Sequence, residues 1–260
     1  MIIETQPRLT KREKRLQRQA AGGVEQQNLI PSPSFNMKRI SPKTKNQSKT
    51  FSAFGANKHL FLHGSAGTGK TFISLYLALK ELYNSESLQK KVYIVRSVVP
   101  TRDMGFLPGN AKEKTKVYEQ PYYSICTELY ERGDAYDILK QKNAVEFMST
   151  SFIRGVTLAN CIVIVDEAQN LSWEELNSII TRAGENCRFI FCGDFKQDDL
   201  TSLRYKEETG IRKFMDVIKR ISSFDFTEFT RDDICRSALV KDYIIACEEL
   251  GIYRLTLIRK

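Results

Sequence analysis

The sequence predicts an α/β fold with a mainly parallel sheet flanked by helices, on the strength of three observations. Short apolar runs alternate along the body of the chain with stretches of helical periodicity, which is typical of parallel strands joined by crossover helices. A glycine-rich turn, GSAGTGKT at 64–71, lies between the first apolar run and the first helical stretch. A later apolar run, CIVIV at 161–165, leads directly into two carboxylates, Asp166 and Glu167.

The elements follow from these patterns in chain order. Strands are expected where apolar runs are bounded by glycine, serine or aspartate, at 59–64, 92–97, 161–167, 188–194 and 224–229. Helices are expected at 70–84, 113–131, 173–183, 211–221 and 237–250. Residues 98–116 form a long insertion punctuated by glycine and proline, and such loops in compact domains commonly carry function. A chain of 260 residues can form one core, so we predict a single domain.

The positive charge of the chain is concentrated near its N-terminus. The net charge is +9, and residues 1–50 alone carry 11 basic and 3 acidic side chains in a segment rich in Gln, Asn and Ser. This composition cannot bury enough apolar surface to offset the entropy of ordering. We therefore predict a basic, disordered arm over residues 1–36 and a folded domain over 37–260. The arm would either bind nucleic-acid phosphates or serve as a solvated tail.

Composition also narrows the classes of protein to consider. No apolar run approaches the roughly 18 residues of a membrane span, and the N-terminus has no apolar signal segment, so we expect a cytoplasmic protein without membrane association. Six cysteines contain no C-x-x-C pair, and only two histidines accompany them. Reduced thiols are therefore favoured over a zinc site.

The turn at 64–71 matches the pattern G-x-x-x-x-G-K-[ST] and lies after a strand and before a helix, as phosphate binding requires. Its glycines allow backbone N–H groups to surround phosphate oxygens at the positive end of the helix. We expect Lys70 to bridge the β- and γ-phosphates of ATP and Thr71 to bind Mg²⁺ through its hydroxyl. The predicted nucleotide-binding residues of this segment are Gly64, Ser65, Ala66, Gly67, Thr68, Gly69, Lys70, Thr71 and Phe72.

The two carboxylates after the apolar run suggest the remaining chemistry. Asp166 is predicted to hold the Mg²⁺ shell, and Glu167 to accept a proton from the attacking water. A protein that only binds nucleotide needs the first carboxylate alone, so the pair indicates hydrolysis. The alternative is that the two acids simply cap the following helix.

A third polar segment, GDFKQDDL at 193–200, also follows an apolar strand. It would bring Asp194 and Gln197 to the same edge of the sheet. The amide of Gln197 can hydrogen-bond both water and a γ-phosphate oxygen, so we predict that it senses the state of the nucleotide.

Taken together, these motifs resemble the PhoH-like family of P-loop ATPases. The similarity covers about residues 40–250 and rests on these segments in order: GSAGTGKT, MGFLPG (104–109), FIRGVTL (152–158), VDEAQN (165–170), TRAG (181–184), GDFKQDDL and DDICRSALV (232–240). The resemblance implies a single RecA-like P-loop NTPase domain related to the first motor domain of superfamily 1 helicases. It also implies ATP hydrolysis with a role linked to RNA or DNA.

The resemblance adds two further residues to the predicted site. It suggests that Gln47 reads the adenine base, although a glutamine in a polar linker is equally compatible with the sequence. It also suggests Arg236 as an arginine finger, but the local sequence Cys-Arg-Ser-Ala lacks the family's His-Pro pair. Arg182 and Arg154 are alternative fingers, and each of the three arginines could instead form a surface salt bridge.

One RecA-like domain carries one face of an ATP site, so the resemblance further implies a homo-oligomer, a hexameric ring in which a neighbouring subunit supplies the finger. Without such a neighbour, hydrolysis would be slow.

Single-stranded RNA or DNA is the predicted partner besides ATP. Candidate contacts are Arg96, Thr101, the loop 105–109, Lys112, Lys114 and Arg154. Tyr118, Tyr122 and Tyr123 could stack on bases, although packing of a helix face together with Tyr130 is favoured. The predicted function is Mg²⁺-dependent ATP hydrolysis coupled to nucleic-acid binding or translocation. The alternatives are an ATP-gated nucleic-acid-binding scaffold without unwinding activity and, third, a small-molecule kinase.

Overall fold

A six-stranded parallel sheet forms the centre of the molecule. The computed structural model describes residues 35–97, 111–153, 155–194 and 210–250. The strands are β1 (His59–Gly64), β2 (Lys91–Arg96), β3 (Val145–Ser149), β4 (Cys161–Val165), β5 (Arg188–Gly193) and β6 (Phe224–Phe229). Their order across the sheet is β3-β2-β4-β5-β1-β6, and every neighbouring pair is parallel. The predicted α/β fold with a parallel sheet is confirmed.

Helices cover both faces of this sheet because successive strand residues point to opposite sides. The helices are α1 (Lys45–Gly55), α2 (Lys70–Leu82), α3 (Ala111–Tyr130), α4 (Ala135–Gln141), α5 (Trp173–Ile180), α6 (Ile211–Ile218) and α7 (Ala238–Glu249). In β1, Leu60 and Leu62 pack in the core that contains α2 and α3, whereas Phe61 packs in the core that contains α5 and α6. None of the helices within the described residues is long and apolar enough to cross a membrane.

Three elements were not predicted, and each has a weak sequence signal. Strand β3 is short and lies at the sheet edge, so an exposed Glu146 interrupts its apolar residues. Helix α1 buries only Gln47, Thr50 and Phe54 along its length. Helix α4 has seven residues, too few for a clear period.

One residue close to the predicted boundary of the arm packs against the folded part of the chain. Phe35, which the sequence assigned to the arm, is buried and stacks on Tyr130 with ring centroids 4.5 Å apart. The rest of the predicted arm, residues 1–34, lies outside the described residues.

Helix α1 is fastened to the sheet by a buried arginine at the start of β5. The Arg188 guanidinium donates to the carbonyls of Phe54 and Lys58 and lies over the Phe54 ring, 3.6 Å from its centroid. The Phe54 carbonyl belongs to the last turn of α1 and also accepts from the N–H of Asn57 at 3.0 Å, whereas Lys58 follows the helix. The contacts of Arg188 hold the C-terminal end of α1 at the edge of the sheet where β1 and β5 begin, and Gln47 lies near the opposite end of the helix.

Candidate nucleotide-binding site

A cavity of about 560 Å³ opens where β1, β4 and β5 end. This is the edge of a parallel sheet at which ligands of α/β proteins bind. Its lining comes from the turn after β1 and the start of α2, the ends of β2 and β5, the acids after β4 and β5, the segment around α1, the second half of α3 and the segment before α7. These residues are Ile40, Ser41, Lys43, Gln47, Gly67, Thr68, Gly69, Lys70, Thr71, Phe72, Ile73, Arg96, Pro121, Ser124, Ile125, Glu128, Asp166, Glu167, Cys192, Gly193, Asp194, Cys235 and Arg236. Gly64, Ser65 and Ala66 form the first half of the turn behind this lining.

The turn depends on glycine at its first residue. Gly64 has φ +116°, and a Cβ atom there would lie 2.0 Å from the carbonyl oxygen of Phe229 in β6. Only a residue without a side chain allows this approach of the two backbones. Gly67 and Gly69 also have positive φ, and helix α2 begins directly afterwards at Lys70. The N–H groups of the turn and of the helix start are thereby directed to one place.

The side chain of Lys70 folds back over this turn. Its ammonium donates to the carbonyl oxygen of Ser65 at 2.7 Å and to the hydroxyl of Thr68 at 3.2 Å, and it pairs with Asp194 Oδ1 at 2.7 Å. The side chain is buried, with 4% exposed, whereas that of Asp194 is 42% exposed. The ammonium of Lys70 is therefore fixed beside the turn while its acidic partner remains open to solvent.

Asp166 lies just beyond the end of β4 and accepts two hydroxyl hydrogen bonds. Thr71 donates to Oδ1 at 2.9 Å, and Tyr122 of α3 donates to Oδ2 at 2.8 Å. Burial raises the pKa of Asp166, and the two hydroxyls oppose that rise. A desolvated carboxylate beside a threonine hydroxyl suits a hard divalent cation.

A magnesium ion needs few protein ligands at such a site, because phosphates and water supply the remainder. Within the described part of the chain, no group of three or more His, Cys, Asp and Glu side chains gathers to hold a metal ion. Thr71 and Asp166 therefore fit Mg²⁺ bound together with nucleotide better than a metal held by protein alone.

Glu167 adopts a backbone conformation that is uncommon for its residue type. Its φ of 53° and ψ of 43° are left-handed, and such residues cluster at functional sites. Its Oε2 accepts from the amide of Gln169 at 2.6 Å, and its Oε1 lies 3.9 Å from the guanidinium of Arg96. Burial, followed by the charges of Asp166 and Asp194, raises the pKa of Glu167. A carboxylate with a raised pKa is better suited to accept a proton.

Gln47 lies in the first half of α1 and not in a linker. Its side chain is buried, accepts from the N–H of Lys43 at 2.7 Å and donates to the carbonyl of Thr68 at 3.2 Å. This amide therefore joins the segment before α1 to the turn after β1. The predicted contact with a base remains a prediction.

Of the three predicted arginine fingers, Arg236 lies in this cavity. The N–H of Cys235 donates to the carbonyl of Gly67 at 3.2 Å, which places Arg236 beside the glycine-rich turn of its own chain. Arg182 follows α5, and it is not among the described residues that line the cavity. Arg154 and Gln197 lie outside the described residues.

The residues predicted to contact nucleic acid are placed in different surroundings. Arg96 faces into the cavity, near Glu167 and with its guanidinium 6.0 Å from the Tyr118 ring centroid. Tyr122 and Tyr130 are buried, which agrees with the packing interpretation. Thr101 and the loop 105–109 lie outside the described residues, and Lys112 and Lys114 fall in the first turn of α3.

Gln169 and Tyr122 contact the predicted acids, and these contacts were not predicted from the sequence. Gln169 lies in VDEAQN, directly after the predicted acids, and its amide connects Glu167 to the N–H of Asp194 at 3.1 Å. Its position two residues after Glu167 is a sequence signal that could have predicted this contact. Tyr122 is 44 residues from Asp166 in sequence, on a helix whose other tyrosines are similar, and no pattern in the sequence distinguishes it.

The chain is similar in sequence to a known protein family. Residues 39–248 match the sequence model of a family described as PhoH-like protein. A PhoH-like protein of Mycobacterium leprae is 31% identical over 82% of this chain and 59% of its own length, and one of Bacillus subtilis is 31% identical over 82% and 65%. The chain thus spans less than two thirds of the length of these curated relatives. Among solved structures, the large terminase of a thermophilic bacteriophage in complex with ADP is 13% identical, with a TM-score of 0.45 over 78% of this chain and 49% of the terminase.

Proposed function

Because this chain belongs to the family of PhoH-like proteins, we propose that it binds ATP together with Mg²⁺ beside the glycine-rich turn and hydrolyses it. The observation that carries the proposal is the hydrogen bond of 2.9 Å between Thr71 and Asp166, with Lys70 and Glu167 as their direct sequence neighbours. Four residues from two separate segments thereby supply the groups that phosphoryl transfer to water requires.

Binding begins with an exchange of partners at Lys70. Its ammonium leaves the exposed Asp194 carboxylate, 2.7 Å away, for the β- and γ-phosphate oxygens. Thr71 and Asp166 would hold Mg²⁺, which would neutralise charge that develops on the transferred group. The N–H groups of the turn and the start of α2 contact the phosphates.

In the hydrolytic step, the water oxygen forms a bond to the γ-phosphorus while the bond to the β–γ bridging oxygen breaks, and ADP leaves. Glu167 accepts the proton that the water loses. Gln169 and Arg96 hold the Glu167 carboxylate in place from two sides. Gln197 as the γ-phosphate sensor, Gln47 as the contact to adenine and Arg236 as the finger complete the proposed site.

The test of this proposal separates binding from turnover. We expect Lys70→Ala to lose ATP binding and Glu167→Gln to bind ATP normally while its turnover falls by roughly 100-fold or more, the usual contribution of a general base. Equilibrium binding of ATP and steady-state phosphate release measure the two effects. Lys80→Ala and Glu174→Gln make the same chemical changes at exposed helix positions and should leave both quantities unchanged. Normal turnover in Glu167→Gln would refute its role as the base.

We further propose that hydrolysis is coupled to single-stranded RNA or DNA. The basic character of residues 1–50 supports this coupling, because clustered Lys and Arg side chains bind phosphate backbones. ATPase rates with and without single-stranded RNA and DNA provide the test, and a rise with one of them identifies the partner. A duplex-unwinding assay then distinguishes a translocase from an ATP-gated scaffold. If neither nucleic acid changed the rate, the coupling would be wrong while the ATPase itself would stand.

A further inference from the structure

Helix α3 reaches the candidate metal site with one buried tyrosine. Tyr122 is 1% exposed, and its hydroxyl donates to Asp166 Oδ2 at 2.8 Å. Thr71 donates to the other oxygen of the same carboxylate at 2.9 Å. The two hydroxyls approach from different helices, so together they fix the rotation of the carboxylate about its last side-chain bond.

The two bonds differ in what they can do once a cation is bound. The Thr71 hydroxyl is itself a predicted ligand, so its oxygen would turn a lone pair to Mg²⁺. The Tyr122 hydroxyl donates to the other oxygen of Asp166, Oδ2, and can keep this hydrogen bond when a cation is bound. It is the kind of outer partner that orients a ligating carboxylate.

We propose that Tyr122 is a positioning residue for Mg²⁺, which holds the Asp166 carboxylate so that Oδ1 faces Thr71 and the cavity. This inference rests on the proposed function, because it assigns the metal to Thr71 and Asp166. Tyr122 contacts the carboxylate and not the metal, so it acts through Asp166.

The same helix supports the second acid through a neighbouring tyrosine. Tyr118 lies one helical turn before Tyr122 and therefore on the same face of α3. Its ring centroid is 6.0 Å from the guanidinium of Arg96, and Arg96 lies 3.9 Å from Glu167. One face of α3 thus contacts Asp166 directly and Glu167 through Arg96. A shift of α3 would move the supports of both acids together.

A purely structural role for the Tyr122 hydroxyl makes a different prediction. A buried hydroxyl needs an acceptor, and Asp166 could serve as nothing more than that acceptor. In that case its removal would change the free energy of unfolding without a specific effect on the metal. The affinity for a divalent cation separates the two roles.

The experiment measures binding of Mn²⁺ in the presence of ADP, with free Mn²⁺ detected by electron paramagnetic resonance. Tyr122→Phe keeps the ring and removes the hydroxyl, and we expect Mn²⁺ to bind roughly 10- to 100-fold more weakly, as when the outer partner of a metal ligand is lost. Tyr130→Phe is the matched control on the same helix, because it removes a buried hydroxyl that bonds Tyr83 at 3.0 Å. Its Mn²⁺ affinity should equal that of the unchanged protein.

Binding of ADP in the presence of EDTA verifies that Tyr122→Phe folds, and it should be unchanged because Lys70 and the turn remain intact. A double-mutant cycle supplies the second test. In an Asp166→Asn background, Tyr122→Phe should have no further effect on Mn²⁺ binding.

Equal Mn²⁺ affinity in Tyr122→Phe and the unchanged protein would overturn the inference, and so would additive effects in the cycle. If the unchanged protein bound ADP but Mn²⁺ binding did not depend on Asp166, the assignment of the metal in the proposed function would be wrong, and the inference would fall with it.

Discussion

At the scale of single residues, each acid after β4 is held by hydrogen bonds from other side chains. Asp166 is held by Thr71 and Tyr122, and Glu167 by Gln169. The motifs identified the acids, but they did not indicate how each carboxylate is oriented. The orientation of a carboxylate affects how well it binds a metal or accepts a proton. Substitution of these partners should therefore separate the binding of ATP from its hydrolysis.

Gln169 offers the clearest such separation. Its amide donates to Glu167 Oε2 at 2.6 Å and accepts from the N–H of Asp194 at 3.1 Å, so it fixes the proposed base against β5. We expect Gln169→Ala to lower kcat by about 10-fold or more while ATP affinity stays unchanged, because the base loses its orientation and Lys70 is untouched. Gln141→Ala, at an exposed position at the end of α4, is the control. An unchanged kcat in Gln169→Ala would show that Glu167 needs no such support.

His59 makes the stability of the fold depend on pH. Burial, followed by the charge of Arg188, lowers the pKa of His59 below 6.5, and its Nδ1 accepts from the N–H of Phe189 at 3.1 Å. The unfolded chain therefore binds the proton more readily, and the free energy of unfolding falls as the pH drops through 6.5 and below.

We expect His59→Asn to reduce the loss of unfolding free energy at low pH. For one proton the slope of that loss is at most about 1.4 kcal/mol per pH unit. Urea unfolding between neutral pH and about pH 5 measures it, with His63 unchanged in both proteins. The same slope in both proteins would contradict the role of His59.

At the scale of elements, the turn between β1 and α2 is restricted by β6. A Cβ atom on Gly64 would lie 2.0 Å from the carbonyl oxygen of Phe229, and its φ of +116° is unfavourable for any residue with a side chain. We expect Gly64→Ala to destabilise the fold by roughly 3 kcal/mol or more, since β1 and β6 would have to separate. Denaturant unfolding gives the value.

Gly55→Ala provides the matched comparison at the end of α1. Nothing lies within 4 Å of the added Cβ, and its φ is not positive. The substitution should stabilise the protein by about 0.4–1 kcal/mol because it restricts the unfolded chain. A similar effect of the two substitutions would show that the contact with β6 is not restrictive.

Elements with strong periodicity could be predicted, whereas three weakly patterned ones could not. Strands β1, β4 and β5 are buried along nearly their whole length, so they appear in the sequence as continuous apolar runs. Strand β3 and helix α1 owe their formation to their neighbours. Strand β3 pairs with β2 along its whole length, and Arg188 binds the end of α1. A local pattern does not contain such contacts.

At the scale of the whole molecule, the position of Arg236 bears on how subunits would cooperate. The sequence suggested a finger supplied by a neighbouring subunit of a ring. In the fold, Arg236 lines the cavity of its own chain, and the N–H of Cys235 donates to Gly67. We therefore expect Arg236 to act on the nucleotide of its own chain.

Mixing two inactive variants tests this expectation. Arg236→Ala should lower kcat by roughly 10³-fold with ATP still bound, which is the low end for an arginine finger. Mixed with Lys70→Ala subunits, it should remain inactive, because neither chain then has a complete site. Restored activity on mixing would show that the arginine serves a neighbour. The mass of the protein in solution would then show whether the subunits form the hexameric ring that the resemblance implies.

The sequence by itself determined the fold class and the glycine-rich turn, and it predicted Lys70, Thr71, Asp166 and Glu167 as site residues, because each depends on a pattern of neighbouring residues. Only the tertiary structure decided that Tyr122 bonds Asp166, that Gln47 lies in a helix against the turn and that Arg236 faces the cavity of its own chain. The reason is physical. Local periodicity and turn chemistry are fixed by residues a few positions apart, whereas these contacts join segments tens to hundreds of residues apart that meet only when the sheet has assembled.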